Sequence, residues 1–267
     1  MFVVFMVAGM SSRYGGDLKQ FAKVGKNKET LIEISVQQAL TAPFTKIIFI
    51  TNTFTEHHFI SLFSHNYKGI PVEYMCQPWD KDTRDRPWGT TGAVCTLTHK
   101  VHEPFILVNS DDLYGAKTFQ QGYNLLKETG NNIIGGCKLE RTMPGDPDIL
   151  VNRGMIEVDN TTQMVTGLKE CLKISVKNNP ELLSGNASVN FIGLYPKTLD
   201  FLHAILDDFQ VEHPDDRKIE CLLPDNLNSL VKDKFISMHY FEISESVYGI
   251  TYPGDELIVQ RLLSLSL

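Results

Sequence analysis

The amino terminus constrains this chain more than any other stretch: an apolar run from Phe2 to Ala8 breaks abruptly into Gly9-Met10-Ser11-Ser12-Arg13-Tyr14-Gly15-Gly16-Asp17-Leu18-Lys19-Gln20. Phe2-Val3-Val4-Phe5-Met6-Val7 is β-branched and aromatic without polar alternation. That is the pattern of a strand buried on both faces of a parallel sheet, so it is expected at the sheet centre. The residues after it are small, then bring two hydroxyls, an arginine, a glycine pair and a lysine, which together suit a polyanion such as a triphosphate. A strand-to-helix turn with solvated basic side chains is the plainer alternative. The loop lacks the Gly-Lys-Ser/Thr of a Walker A element, and Ser11 and Tyr14 break the dinucleotide pattern G-x-G-x-x-G, which disfavours a nicotinamide oxidoreductase.

Length and charge narrow the field further. The chain has 267 residues, 42% of them hydrophobic, with no linker, internal repeat or block of like charge, so one large α/β domain spanning 1–267 is expected. A formal net charge of −7 without a basic stripe argues against nucleic acid as a partner. It also makes any cation beside a phosphate ligand unusually consequential. The longest apolar run is too short to cross a bilayer and no basic region precedes it, so a cytoplasmic location and no membrane partner are expected. Five scattered cysteines without a C-x-x-C read as reduced, mostly buried thiols. Neither His57-His58 nor the His99/His102 pair has a matching acid or cysteine at zinc-site spacing.

Taken in order, the chain predicts alternating elements. Thr30 is placed to cap a helix carrying Leu31, Ile34, Ala39 and Leu40 that ends before Pro43. Lys46 to Thr51 reads as a second buried strand, Thr55 as the cap of a helix with Phe59, Ile60, Leu62 and Phe63, and Ile70 to Met75 as a third strand. This βαβαβ alternation predicts a doubly wound parallel sheet, whose ligand sits at the carboxyl ends of the strands. Cys76 to Ala93 is a long polar loop entering a helix at Thr90 or Thr91; loops of this length are usually functional or mobile. There Gly89 and Gly92 would let the backbone approach a flat ligand and Gln77 could bond a base edge, although a surface loop with a helix cap reads equally well.

Phe105 to Val108, a fourth buried strand, runs into Asn109-Ser110-Asp111-Asp112-Leu113-Tyr114-Gly115. Two adjacent carboxylates at a strand's carboxyl end form a hard-oxygen site suited to Mg²⁺. Capping of the following helix, Ala116 to Thr129, would account for one aspartate but not for two plus Asn109. Asn132 to Glu140 reads as a strand. After Pro144-Gly145-Asp146-Pro147 the pattern turns antiparallel, with a hairpin strand Ile149 to Asp159 and a long strand Met164 to Val176 expected as a lid over the nucleotide half. Ser188 to Pro196 reads as a strand leading into a helix that runs to about Asp208, and Glu220 to Val231 as a helix despite Pro224. Phe235 to Phe241 reads as a strand and Asp255 to Leu265 as a closing helix.

With these motifs in hand, the chain resembles the sugar-phosphate nucleotidylyltransferase superfamily over nearly its whole length. Val7-Ala8-Gly9-Met10-Ser11-Ser12-Arg13 with Lys19 resembles the family signature A-G-G-x-G-T-R and its following lysine. Gly89-Thr90-Thr91-Gly92-Ala93 resembles G-T-A-x-A, Ser110-Asp111 the strand-end G-D, and Gly154-Met155 the later G-V. Glu170, with Lys173 displaced three residues on, resembles the E-K element, and Asn190-Phe191-Ile192-Gly193-Leu194-Tyr195 resembles N-x-G-x-Y. Tyr14-Gly15-Gly16 before Leu18-Lys19-Gln20, Asn109 to Gly115, and Tyr248-Gly249-Ile250-Thr251-Tyr252 are similar to a bacterial branch of the superfamily.

The resemblance implies a Rossmann-like three-layer αβα fold with a mixed, mainly parallel central sheet and a small antiparallel lid. Residues 1–140 would form the nucleotide-binding half, and 141–267 the acceptor-binding half with the closing helices. It implies transfer of an NMP group from an NTP to a sugar 1-phosphate or similar small phosphorylated acceptor, with pyrophosphate released and Mg²⁺ required. Arg13 and Lys19 would hold the β/γ-phosphates, and Ala8, Gly9, Met10, Ser11, Ser12, Gln77, Gly89, Thr90 and Asn109 the nucleotide. Asp111, with Asp112, would hold the metal, and Gly154, Glu170, Lys173 and Asn190 the acceptor. No general base is required, because the attacking phosphate oxygen is already anionic, and the chain shows no Ser/His/Asp or Cys/His constellation.

Three departures stand out. Ser11 replaces a glycine, Cys171 replaces the lysine after the E of the E-K element, and the family's second metal aspartate falls near Gly249, leaving Asp112 or Asp255 to substitute. A metal-dependent glycosyltransferase and a non-catalytic nucleotide-binding homologue are the competing readings. The first would have no use for Arg13 and Lys19 beside the first strand, and the second is disfavoured by the presence of Arg13, Lys19 and Asp111. Homo-oligomer formation is left open, and no acyltransferase or left-handed β-helix extension is expected.

Overall fold

The computed structural model describes residues 1–9, 18–143 and 146–265. In chain order the elements are β1 (Phe2–Met6), α1 (Leu31–Ala39), β2 (Lys46–Thr51), α2 (Glu56–Phe63), β3 (Asn66–Tyr67), β4 (Ile70–Cys76), α3 (Gly89–Cys95), β5 (Phe105–Asn109), β6 (Asp112–Leu113) and α4 (Ala116–Thr129). There follow β7 (Asn132–Lys138), β8 (Val151–Val158), β9 (Val165–Ile174), β10 (Asn186–Leu194), α5 (Pro196–Glu212), α6 (Leu223–Lys232), β11 (Met238–Glu242), β12 (Tyr248–Gly249) and α7 (Asp255–Leu265).

The apolar amino-terminal run becomes the sheet centre, as its sequence requires. β1 pairs in parallel with β2 on one side and β5 on the other, and the sheet runs β11-β7-β10-β5-β1-β2-β4-β3. β10 is antiparallel to both β5 and β7, so β4, β2, β1, β5, β7 and β11 run one way and β10 against them. Val4 packs towards α3, α5 and α6 through Val94, Leu202 and Leu227. Val3 and Phe5 pack towards α1, α2 and α4 through Val36, Phe59 and Phe119. One strand thus feeds two apolar layers, which is why it carries no polar alternation. The order reverses between β1 and β5, and such a switch point opens a crevice at the strand carboxyl ends.

Local chemistry explains where the elements begin. Thr30 and Glu33 form a reciprocal capping box at α1. At α2 the expected Thr55 cap is absent: the Asn52 carboxamide oxygen accepts from the backbone N–H groups of Phe54 and Thr55, while Thr55 Oγ1 accepts from Asn52 N. α6 begins at Leu223 rather than Glu220, because Pro224 then sits in the first turn, where no intrahelical N–H is needed. β7 stops at Lys138, and Leu139–Thr142 tightens into a 3-10 turn. β11 occupies Met238–Glu242, set by its parallel register with β7. The β8–β9 hairpin joins the central sheet directly, β8 pairing with β10 at Asn186↔Ile156 and Ala187↔Met155.

The long segment after β4 is held by two arginines that clasp it against residues 216–221. Arg84, only 6% exposed, donates from Nε to Arg86 O (3.0 Å), from Nη1 to Asp216 O (2.7 Å) and from Nη2 to Ile219 O (2.5 Å), with its guanidinium 3.4 Å from the centre of the Trp88 ring. Arg217 returns the contact from its own side, to Asp85 Oδ1 and to the carbonyls of Asp82 and Lys81. Arg84→Met leaves these carbonyls without a charged donor and is expected to cost about 3 kcal/mol in a urea-unfolding measurement.

Candidate active site

A cavity of about 400 Å³ lies beyond the carboxyl end of β5. Its floor comes from the end of β5, where Asn109, Asp111 and Asp112 line it, and Gly249 on β12 closes that side. Arg153, Gly154 and Met155 on β8 and Lys169 and Glu170 on β9 form one wall; Ser188 and Asn190 on β10 and Asp225 on α6 complete it. Asn190 reaches this position through an irregularity. The β10–β7 register shifts between Ser188 and Phe191, and Asn190 takes a φ of 58°, a left-handed conformation that asparagine tolerates better than most residues.

The two aspartates occupy different settings. Asp111 accepts an ion pair from Lys19 Nζ at 2.5 Å, with both side chains partly buried. Asp112 is half-buried; its carboxylate accepts from Asn109 Nδ2 at 3.1 Å and lies 3.5 Å from the hydroxyl of fully buried Tyr114. The buried Ser35 hydroxyl on α1 holds the Asp112 carbonyl at 3.2 Å. Burial, reinforced by the neighbouring Asp111 carboxylate, pushes the Asp112 carboxyl up to about 7, against the weaker pull of the Asn109 amide and the charges of Lys19 and Arg153. A carboxyl so placed favours a proton or a cation. Neither aspartate caps α4: Gly115 is its N-cap, and Glu245 from the far end of the chain accepts from Thr118 N at 2.9 Å.

A Cβ built at Gly249 would overlap Asp112 Oδ1, so this glycine leaves room for the Asp112 carboxylate. Asp255, the other carboxylate considered for that position, is committed elsewhere, accepting from Thr251 N and Tyr252 N, both at 2.8 Å. Gly249→Ala must push aside an Asp112 already held by Asn109. It is expected to lower turnover at least about tenfold and stability by about 1–3 kcal/mol, read from initial rates and urea unfolding.

A sequence model of the nucleotidyl transferase family matches residues 17–170, more than half of the chain. The chain belongs to the nucleotidyl transferase family. It is therefore an enzyme, a nucleotidyltransferase. The fold agrees with solved structures of low identity. A Bacillus anthracis protein described as a glucose-1-phosphate thymidylyltransferase, in complex with a sucrose, superposes with a TM-score of 0.73 at 14% identity over 98% of this chain and 95% of its own. A UDP-glucose pyrophosphorylase complexed with UDP-glucose gives 0.69 at 14% identity over 100% and 99%, and an inositol-1-phosphate CTP transferase from T. maritima gives 0.66 at 13% over 98% and 94%. A search of curated protein sequences gives no match.

In this nucleotidyltransferase, Asp111, Asp112, Asn109, Gly154, Glu170 and Asn190 from the sequence reading meet around one cavity. Lys19 joins them through Asp111. Lys173 does not: it is exposed near the end of β9 with a φ of 53° and stands outside the cavity lining. Met10, Ser11, Ser12 and Arg13 lie outside the described residues. Ala8 and Gly9 follow β1, and the Ala8 carbonyl accepts from Asn52 Nδ2 at 2.7 Å.

The other nucleotide candidates each make a scaffold contact. Gln77 is buried and donates from Nε2 to Gly89 O at 3.0 Å. The Thr90 hydroxyl accepts from Leu223 N at 2.9 Å, capping α6. Gly89 has a φ of 77°, and a Cβ there would meet Cys221 O at 2.7 Å, so close packing against that backbone by itself demands glycine. Burial, then the charge of Asp225, raises the Glu170 carboxyl, and Arg153 opposes the shift.

Sequence reading passed over Asn52, Tyr114, Arg153 and Asp225. Asn52 carried a usable signal, since it directly follows the buried strand next to β1. Arg153 and Asp225 carried none, because only the hairpin register and the α6 packing bring them to the crevice.

Proposed function

We propose that this nucleotidyltransferase transfers an NMP group from an NTP to a sugar 1-phosphate or a similarly small phosphorylated acceptor, releasing pyrophosphate in a Mg²⁺-dependent reaction. The observation that carries the reading is the Asp111–Asp112 pair, which caps no helix, with one carboxylate paired to Lys19 and both facing a cavity of about 400 Å³. That volume suits a phosphorylated monosaccharide or polyol. The three solved relatives carry names of the same chemistry: a glucose-1-phosphate thymidylyltransferase, a UDP-glucose pyrophosphorylase and an inositol-1-phosphate CTP transferase.

The donor set fits a hard divalent ion. Among the described residues no cluster of three or more His, Cys, Asp or Glu side chains could hold a metal, so the protein offers two carboxylates and leaves the other positions to phosphate oxygens and water, as Mg²⁺ prefers. Bound by Asp111 and Asp112, Mg²⁺ would supply Lewis-acid neutralisation of the charge that develops between the α- and β-phosphates. The chain's own part is alignment and charge. An acceptor phosphate oxygen forms the new bond to the α-phosphorus while the bond to the pyrophosphate oxygen breaks opposite it. Lys19, together with Arg13, would steady the triphosphate and the leaving pyrophosphate. No proton has to be removed from the nucleophile. Gly154, Glu170 and Asn190 would position the acceptor.

The test is a pyrophosphate-release assay with Mg²⁺ that crosses the four ribonucleotides and dTTP against sugar 1-phosphates and other small phosphomonoesters. Release that depends on both an NTP and a phosphorylated acceptor is the expected result. Release of nucleoside diphosphate from a nucleotide-sugar, with no use of NTP, would instead establish glycosyl transfer.

A further inference from the structure

The cavity holds an acidic set, Asp111, Asp112, Glu170 and Asp225, which would repel a phosphorylated acceptor unless a cation faced it from the same space. Lys19 pairs with Asp111 and is assigned to the triphosphate, Lys173 stands outside the lining, and Lys169, which also lines the cavity, is exposed and among the described residues has no hydrogen bond or ion pair to fix its ammonium. Arg153 lines the cavity from β8, beside Gly154 and across the hairpin from Cys171 in the β8–β9 register. Its guanidinium is held in a fixed orientation. Nε donates to Thr142 Oγ1 at 3.2 Å, Nη2 to Thr142 O at 3.0 Å and Nη1 to Asn152 O at 2.9 Å. A guanidinium has five N–H donors, so these three bonds leave one on each terminal nitrogen.

Among the described residues Arg153 makes no ion pair. Asp112 and Glu170 feel its charge only at longer range. A half-buried, braced guanidinium with two spare donors and no salt-bridge partner is a binding device for a planar pair of anionic oxygens.

We propose that Arg153 binds the phosphate of the acceptor, its two free terminal N–H groups bonding two phosphate oxygens. The inference rests on the acceptor being a phosphomonoester. It makes the phosphate, rather than the hydroxyls of the acceptor, the group that this wall selects.

Binding and turnover test it separately. Inorganic phosphate and glucose 1-phosphate are titrated into the full chain while the Arg153 Nε–Hε NMR signal is followed, and calorimetry compares the wild type with Arg153→Gln and Arg153→Lys. The expected result is a saturable shift of that signal and phosphate binding weakened about 10- to 100-fold in Arg153→Gln. Arg153→Lys should recover part of the loss, with thermal melting and NTP binding retained in both variants. With an acceptor found active, the acceptor KM should rise by a similar factor and kcat change little.

Unchanged phosphate affinity in Arg153→Gln would overturn the proposal. So would equal losses in the Gln and Lys variants, the mark of a purely bracing role, or loss of NTP binding, which would assign the arginine to the triphosphate. A phosphate-dependent shift of the Arg153 signal in a protein that releases no pyrophosphate from any pair in the panel would uphold the phosphate site and remove the transferase reading alone.

Discussion

Asp111→Asn is expected to lower turnover by roughly 10³-fold or more while leaving the fold intact. A thousandfold corresponds to about 4 kcal/mol of transition-state stabilisation. The substitution keeps the shape of the side chain and removes the charge that would hold the metal. It should not disturb the scaffold, because the contact Asp111 makes with the β12 end of the chain runs through its backbone, Ile250 N donating to Asp111 O at 3.0 Å. It also removes the like charge that helps raise the Asp112 carboxyl, so the folded state loses a repulsion as well as the Lys19 ion pair. Initial rates under saturating substrates and a thermal melt check both halves. A wild-type rate in Asp111→Asn would refute the site assignment.

Lys19→Met should cost roughly 10²-fold in kcat, since one charged donor to the leaving group is removed while the aspartates remain. Its signature differs from that of Asp111→Asn. Lys19 is among the charges that hold the Asp112 carboxyl down, so its loss sets two adjacent carboxylates against each other without their nearest cation. Divalent-ion binding, measured by calorimetry with Mn²⁺, should therefore be retained in Lys19→Met and lost in Asp111→Asn. If Lys19→Met also abolished ion binding, the lysine would be a structural partner of Asp111 rather than a phosphate ligand.

Much of the frame was legible because it rests on local rules. The unalternating Phe2–Val7 run reads as a central strand, and Thr30 caps α1 as its position predicts, in a reciprocal pair with Glu33 that the structure adds. The bounds of α4 and α7 follow the expected Ala116–Thr129 and Asp255–Leu265. Misreadings fell where a partner outside the expected motif supplied the missing contact. Asn52 replaced Thr55 at the start of α2. Glu245 bonds the first turn of α4 from about 130 residues away, and Arg84 turned an apparently free loop into a clasped one.

The site divides along the same line. Sequence alone determined the nucleotidyltransferase family and placed two aspartates at a strand end, because each is a short motif whose chemistry is carried by neighbouring residues. Tertiary structure decided which carboxylate fills the space beside Gly249, that Arg153 reaches the cavity, and why Gly89 must be glycine. Those answers depend on the hairpin register that sets Arg153 opposite Cys171, the shifted register that turns Asn190 inward, and the close approach of the Cys221 backbone. Contacts between residues far apart in the chain are fixed by packing, which no local spacing encodes.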